Sequence, residues 1–216
     1  MKNIIALFIL LITFSCSHQQ NRPTFNIASA NKGLIKNSSL GFPLFISQNL
    51  IEKDVPKEAL LVHQGHFLKK ENTKAMNESI LHQLEENNFH LINLTLDDLA
   101  ISIEQSINLN EFRRLIFLNS TISDVSKDQL YGEGNVVPYY IYNDIIFIGL
   151  SDKTISKDLN VDNFLVNDYV FSILKIKKIT KEKNTKSYIL IHNLSSTDMI
   201  EIMDRLPPTF INSLAD

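Results

Sequence analysis

The sequence predicts an α/β domain built on a largely parallel or mixed sheet. Three observations carry this expectation. Short apolar runs at residues 59–63, 89–96, 115–118 and 188–192 have the length and composition of buried strands. Segments with helical spacing stand between them, as in the series Met76, Ile80 and Leu84. Polar clusters rich in Asn, Asp, Gly and Ser close the runs as turn signals. Strands alternating with helices in this way favour helices packed on a sheet.

Taken in order, residues 24–28 read as a first short strand, and residues 44–51, after Gly41-Phe42-Pro43, as a short helix. Residues 59–63 form a buried strand that stops at Gln64-Gly65. Asn72 or Thr73 caps the next helix, whose apolar face is Met76, Ile80 and Leu84 and which ends at Asn87-Asn88. Residues 89–96 give another strand with Asp97-Asp98 at its end, then a short helix over 99–107 and a strand over 115–118. The polar stretch 123–135, with Gly132-Glu133-Gly134, reads as a loop. Runs 136–142 and 145–150 flank Asn143-Asp144, a turn signal that predicts an antiparallel hairpin. Residues 161–178 read as one long helix, 181–186 as a polar loop and 188–192 as a last strand. Ser196 caps a closing helix through Asp204, which Pro207-Pro208 ends.

Composition excludes several classes. Of 216 residues, 44% are hydrophobic and 21% charged, so the chain is not wholly disordered. A net charge of −3 gives no basic footprint for nucleic acid. One cysteine excludes a disulfide scaffold and a thiolate metal centre. That cysteine is Cys16, and its surroundings are informative. Lys2 precedes an apolar run at residues 4–12, short of the roughly 20 residues a spanning helix needs, which is the pattern of a secretory signal peptide. Thr13-Phe14-Ser15-Cys16 resembles the lipobox of bacterial lipoproteins. The resemblance implies cleavage before Cys16, lipidation of Cys16 and anchoring in the membrane. Ser17 rather than Asp follows, which points to the outer membrane. Residues 1–15 are thus expected to be a signal peptide, 16–23 a tether and 24–216 a single α/β domain.

Ligands of open α/β sheets bind beyond the carboxyl ends of the strands. Those ends carry His63-Gln64-Gly65-His66, Asp97-Asp98, Asn119-Ser120-Thr121 and His192-Asn193. Imidazoles and carboxylates together have the donor chemistry of a divalent-metal site. Ser120 and Thr121 lack the flanking glycines of a nucleophile elbow, and no Gly-rich phosphate loop follows a strand.

Read as a colinear series, the runs resemble the 5′-nucleotidase-type, calcineurin-like metallophosphatases. Leu60-Leu61-Val62-His63-Gln64-Gly65-His66 is similar to their "llldaGD" strand, and Leu94-Thr95-Leu96-Asp97-Asp98-Leu99 to "lGnHEfd". Residues 115–120 resemble "fpvlsaN", Val137-Pro138-Tyr139-Tyr140-Ile141 resembles "py.i", 143–151 resembles "nGvkIgfiGlt" and 187–193 resembles "iilLsH". The resemblance implies a mixed-sheet sandwich flanked by helices and a two-metal phosphoesterase centre. The family's ligands carry over poorly. Its D-x-H motif falls on Ala30-Asn31-Lys32-Gly33, its bridging aspartate on His66 and its GNH pair on Leu96 and Asp97, with Asp98 at the acidic position. His192 matches a ligand histidine, and residues 207–216 lack the final GxH.

The expectation is therefore a degenerate metallophosphatase-like envelope lipoprotein, non-catalytic, with a binding or assembly role and no cofactor. His66, Asp98 and His192 are its candidates for a single metal ion, and His63, Asp97, Asn119 and Asn193 its candidate pocket edge. One alternative is a phosphoesterase dependent on Mn, Zn or Mg with an unusual ligand set. Another is an unrelated, partner-binding lipoprotein with a single flavodoxin-like sheet. The sequence names no protein or small-molecule partner.

Overall fold

The structure is a computed structural model that describes residues 42–50, 55–153, 159, 162–183 and 187–206, and the backbone of 24–27, 33–35 and 212–213. Cys16, the tether, Ala30 to Lys32 and Pro207-Pro208 lie outside the described residues. The strands are β1 (Thr24–Ile27), β2 (Gly33–Ile35), β3 (Leu44–Ser47), β4 (Leu60–His63), β5 (Phe89–Asn93), β6 (Ile116–Leu118), β7 (Ile122–Asp124), β8 (Gln129–Leu130), β9 (Val136–Val137), β10 (Tyr140–Tyr142), β11 (Ile145–Leu150), β12 (Phe164–Val166), β13 (Ser187–His192) and β14 (Asn212–Ser213). The α-helices are α1 (Lys74–Glu86), α2 (Leu96–Glu104), α3 (Tyr169–Ile179) and α4 (Ser196–Arg205).

Two sheets form a sandwich. One runs β2-β3-β4-β5-β6-β9, parallel from β3 to β9; the other runs β10-β11-β13-β1-β14, with only β10 antiparallel. Leu44, Ile46, Val62, Leu91 and Leu118 of the first pack against Ile145, Phe147, Ile189 and Ile191 of the second. The outer face of the six-stranded sheet is covered by α1 and α2 through Leu81, Leu84, Leu99 and Ile101. The outer face of the five-stranded sheet is covered by α3 and α4 through Val170, Ile173, Ile176 and Ile202. Strands β11 and β13 are buried along their whole length, which is why both read as continuous apolar runs. The two-sheet architecture and the β10-β11 hairpin replace the single flavodoxin-like sheet.

Several elements differ from expectation, each for a physical reason. Residues 44–47 are a strand, not a helix: Leu44 pairs with Leu60 and Ser47 with His63, so the run is clasped in the sheet. Thr73 caps α1 as expected, but the buried face is Asn77, Leu81 and Leu84, and Met76 is exposed. Asn77 turns inward because its amide binds both the N–H and the carbonyl of Lys69. Asp97 and Asp98 sit in the first turn of α2, not at a strand end. The expected loop 123–135 includes β8 and part of β7, which pair with β12 in a small third sheet. That β12 occupies the front of the expected long helix; α3 begins later, where Asp168 caps it.

The sheets approach closely at Gly149. A Cβ there would stand 2.6 Å from Asn93 Oδ1 and from the Cβ and carbonyl oxygen of Leu118. Gly149→Ala should therefore cost about 2 kcal/mol through overpacking. The check is a lower urea midpoint with an unchanged slope; an unchanged midpoint would contradict this packing.

Candidate functional site

The carboxyl ends of β4, β5, β11 and β13 meet at one end of the sandwich, and hydrogen bonds fasten them. Asn93 Nδ2 donates to the carbonyls of Gln64 and Leu150, each at 3.0 Å, and so links the two sheets. The Leu96 N–H donates to Ser151 Oγ at 2.8 Å, and the Ser151 N–H to Thr121 Oγ1 at 3.1 Å.

The loop after β4 turns through Gly65 and His66, both with positive φ (104° and 55°). The left-handed conformation of His66, unfavourable for a residue with a Cβ, is held by Asp98. Asp98 Oδ2 accepts from the His66 N–H at 2.8 Å, the Thr95 hydroxyl at 2.6 Å and the Thr95 N–H at 3.3 Å. Its Oδ1 accepts from the Leu68 N–H at 2.9 Å. With the Asp98 N–H donating to Thr95 Oγ1, the two residues form a capping box on α2. Desolvation pushes the Asp98 carboxyl up from its ordinary pKa, against the pull of these donors, Thr95 foremost. Both oxygens are engaged by the chain's own donors.

His66 extends outward and places Nε2 3.5 Å from Asp152 Oδ2. Asp152 raises the imidazole pKa, partly offset by desolvation. His192 is 2% exposed. Its Nδ1 accepts from the Leu194 N–H at 3.2 Å, so the neutral ring carries its proton on Nε2. That Nε2 is buried without a hydrogen-bond partner, as are Gln64 Oε1, Asn93 Oδ1, Asp152 Oδ1 and both side-chain polar atoms of Asn193. Burial lowers the His192 pKa to about 4.

Of the other expected residues, His63 and Asn119 are engaged within the fold. His63 packs edge-on against Phe67 and Phe89 in the helix-side core, and its Nδ1 accepts from the Gly65 N–H. Asn119 spends its amide on the Thr121 and Ile122 N–H groups and the carbonyls of Ile122 and Tyr131. Asp97 is buried in the first turn of α2, 8% exposed. Sequence reasoning places Gln64 at a strand end without choosing it as a candidate, and misses Asn93 and Asp152. Asp152 carried a usable signal, since Ser151-Asp152 follows an apolar run just as the chosen polar pairs do.

A divalent-metal centre needs carboxylates with spare lone pairs and imidazoles with a bare nitrogen. Asp98 has committed its oxygens, and His192 presents an N–H. Among the described residues no three His, Cys, Asp or Glu side chains are placed to hold a metal ion, the expected His66, Asp98 and His192 included. These residues do not fit the metal centre that the sequence resemblance implies.

The chain has a mixed α/β fold of the metallophosphatase type, and comparison with known proteins places it there by structure alone. No protein-family profile and no curated protein matches the sequence. Solved structures do match. Sulfate thiohydrolase SoxB of Thermus thermophilus, in complex with glycerol, aligns over 72% of this chain with a TM-score of 0.57 and 12% identity. A 5′-nucleotidase precursor from the same organism aligns over 69% with a TM-score of 0.54 and 13% identity. The NAD nucleotidase NadN of Haemophilus influenzae aligns over 68% with a TM-score of 0.50 and 18% identity. The match spans 29%, 30% and 27% of those chains respectively, less than a third of each.

The His192 environment gives a pH prediction. Its folded pKa lies below the ordinary 6.5, so between the two values the unfolded chain binds a proton that the folded chain does not. Stability should fall by about 3 kcal/mol as pH drops through this window. His90, also lowered by burial, acts in the same direction, and His66, raised by Asp152, acts in the opposite one. Urea midpoints from neutral pH to about pH 4.5 should slope for the parent and flatten for His192→Asn. Equal slopes would remove His192 as the cause.

Proposed function

We propose that this chain is a lipid-anchored envelope protein whose metallophosphatase-like domain binds a ligand without hydrolysing it. One observation carries the reading: at the strand ends, Asp98 is fully buried with both oxygens accepting from the chain's own donors, and His192 presents a protonated Nε2. What remains at the rim is a set of mostly neutral donors and acceptors, Gln64, Asn93, His192 and Asn193, with the carboxylate of Asp152. Without metals, a phosphoryl transfer site loses its main stabilisation of developing charge. An uncharged, hydroxyl-bearing molecule matches these groups, because each hydroxyl both donates and accepts, and it reaches them only when the strand-end loops part, since every one of these atoms is buried. A phosphate would meet the Asp152 carboxylate, which lies 3.5 Å from the partly exposed His66 imidazole. The lipid anchor rests on the lipobox-like Thr13-Phe14-Ser15-Cys16.

Purified protein with Mn²⁺ or Zn²⁺ and a general phosphodiester should show no metal-stimulated turnover. Turnover that disappears in His192→Ala would establish the phosphoesterase alternative instead. Mass spectrometry of the mature protein should find an acylated Cys16 at its N-terminus, and an unmodified start elsewhere would refute the anchor.

A further inference from the structure

The outward face of α3 is both apolar and basic. Phe171, Leu174, Lys175 and Lys178 recur at three- and four-residue spacing and share one stripe, opposite the buried Val170, Ile173 and Ile176. Phe171 is 64% exposed, Leu174 41% and Ile179, at the stripe's edge, 54%. Val125 and Leu165, from the three-stranded sheet region, are exposed beside it and join Phe171 and Lys175 around a cavity of about 250 Å³. Lys181 and Lys183 continue the basic surface past the helix end. Nearby carboxylates are largely engaged. Asp168 and Glu201 both hold Arg205, at 2.6 and 2.7 Å, and Asp124 holds Lys127 at 3.3 Å, which leaves Asp128 and Glu182. The charges around the stripe nearly balance, and the stripe itself, where Lys175 and Lys178 are its only charged residues, is basic on a chain whose net charge is −3.

We propose that this face of α3 docks on an anionic phospholipid surface. Lys175, Lys178 and Lys181 reach the headgroup phosphates, and Phe171 and Leu174 enter the boundary of the acyl region. Lysine stems are apolar and flexible, so their ammonium groups stay at headgroup level while neighbouring apolar side chains go deeper. Binding of this kind grows with apolar area and with attraction to anionic lipids. Isolated apolar side chains among mobile lysines match a fluid charged surface better than the preformed pockets of a protein partner. The inference stands on α3 alone and needs neither the ligand-binding rim nor lipidation of Cys16.

The chain has no Trp, so Phe171→Trp in the full chain introduces a single indole. With vesicles of phosphatidylethanolamine and phosphatidylglycerol carrying brominated acyl chains, its emission should shift to the blue and fall roughly twofold. Adding Lys175→Glu and Lys178→Glu should abolish the change, and so should vesicles of phosphatidylcholine alone. The apolar run 4–12 could by itself bring the chain to a vesicle. Ile103→Trp controls for this, because Ile103 is 47% exposed on α2, in the opposite helical layer, and should stay unquenched. Absence of quenching at position 171, equal quenching at both positions or persistence after charge reversal would overturn the proposal. So would a blue shift without vesicles that grows with protein concentration, which would mark self-association.

Discussion

The buried carboxylate of Asp98 fixes the rim of this molecule. Four donors converge on it: the His66 and Leu68 amides from the loop after β4, and the Thr95 amide and hydroxyl from the start of α2. Hydrogen bonds to a charged acceptor are among the stronger ones available to a protein, and here they offset part of the desolvation of a fully buried acid. The left-handed turn at His66 and the entry of α2 both depend on this group. A carboxylate so employed serves chain geometry, and its complete burial keeps it from an external cation.

The same economy governs the neighbouring groups. Asn93 uses its amide nitrogen to join the ends of β4 and β11, and Ser151 joins the second sheet to α2. His192 is held in one tautomer by the Leu194 amide. The Asn93 contacts tie the two sheets together and the Ser151 contact ties the second sheet to α2, where strand ends would otherwise leave polar backbone unpaired. The result is an α/β sandwich of the metallophosphatase type whose rim is cross-linked by its own hydrogen bonds and keeps several buried polar atoms in reserve.

Much of this architecture could be read from the sequence. Runs such as Leu60–His63 and Ser187–His192 are apolar throughout because both faces are covered, and that signal is strong. Residues 44–47 were ambiguous because a short apolar run has no period to choose strand over helix. Residues 164–166 merged with the following helix, although Asn167-Asp168 offered a cap that would have separated them. At the site, the sequence points to His192 and Asp98 as metal ligands, and the structure places Asp98 in the capping box of α2 and His192 against the Leu194 amide. The Thr95-x-x-Asp98 spacing is a capping-box pattern, visible in the sequence and outweighed there by the likeness to a metal motif. Asn93 could not be found this way, because its partners are backbone carbonyls brought together only by the fold of two sheets.

The central claim is that hydrogen bonds internal to the chain engage the side chains that a metal ion would need at the rim. Imidazole ¹⁵N chemical shifts of His192, recorded with and without Zn²⁺, test this most directly. The account predicts a proton on Nε2 and an unprotonated Nδ1 at neutral pH, unchanged by the metal. A bare Nε2, or a shift at Nε2 that saturates with stoichiometric Zn²⁺, would contradict it.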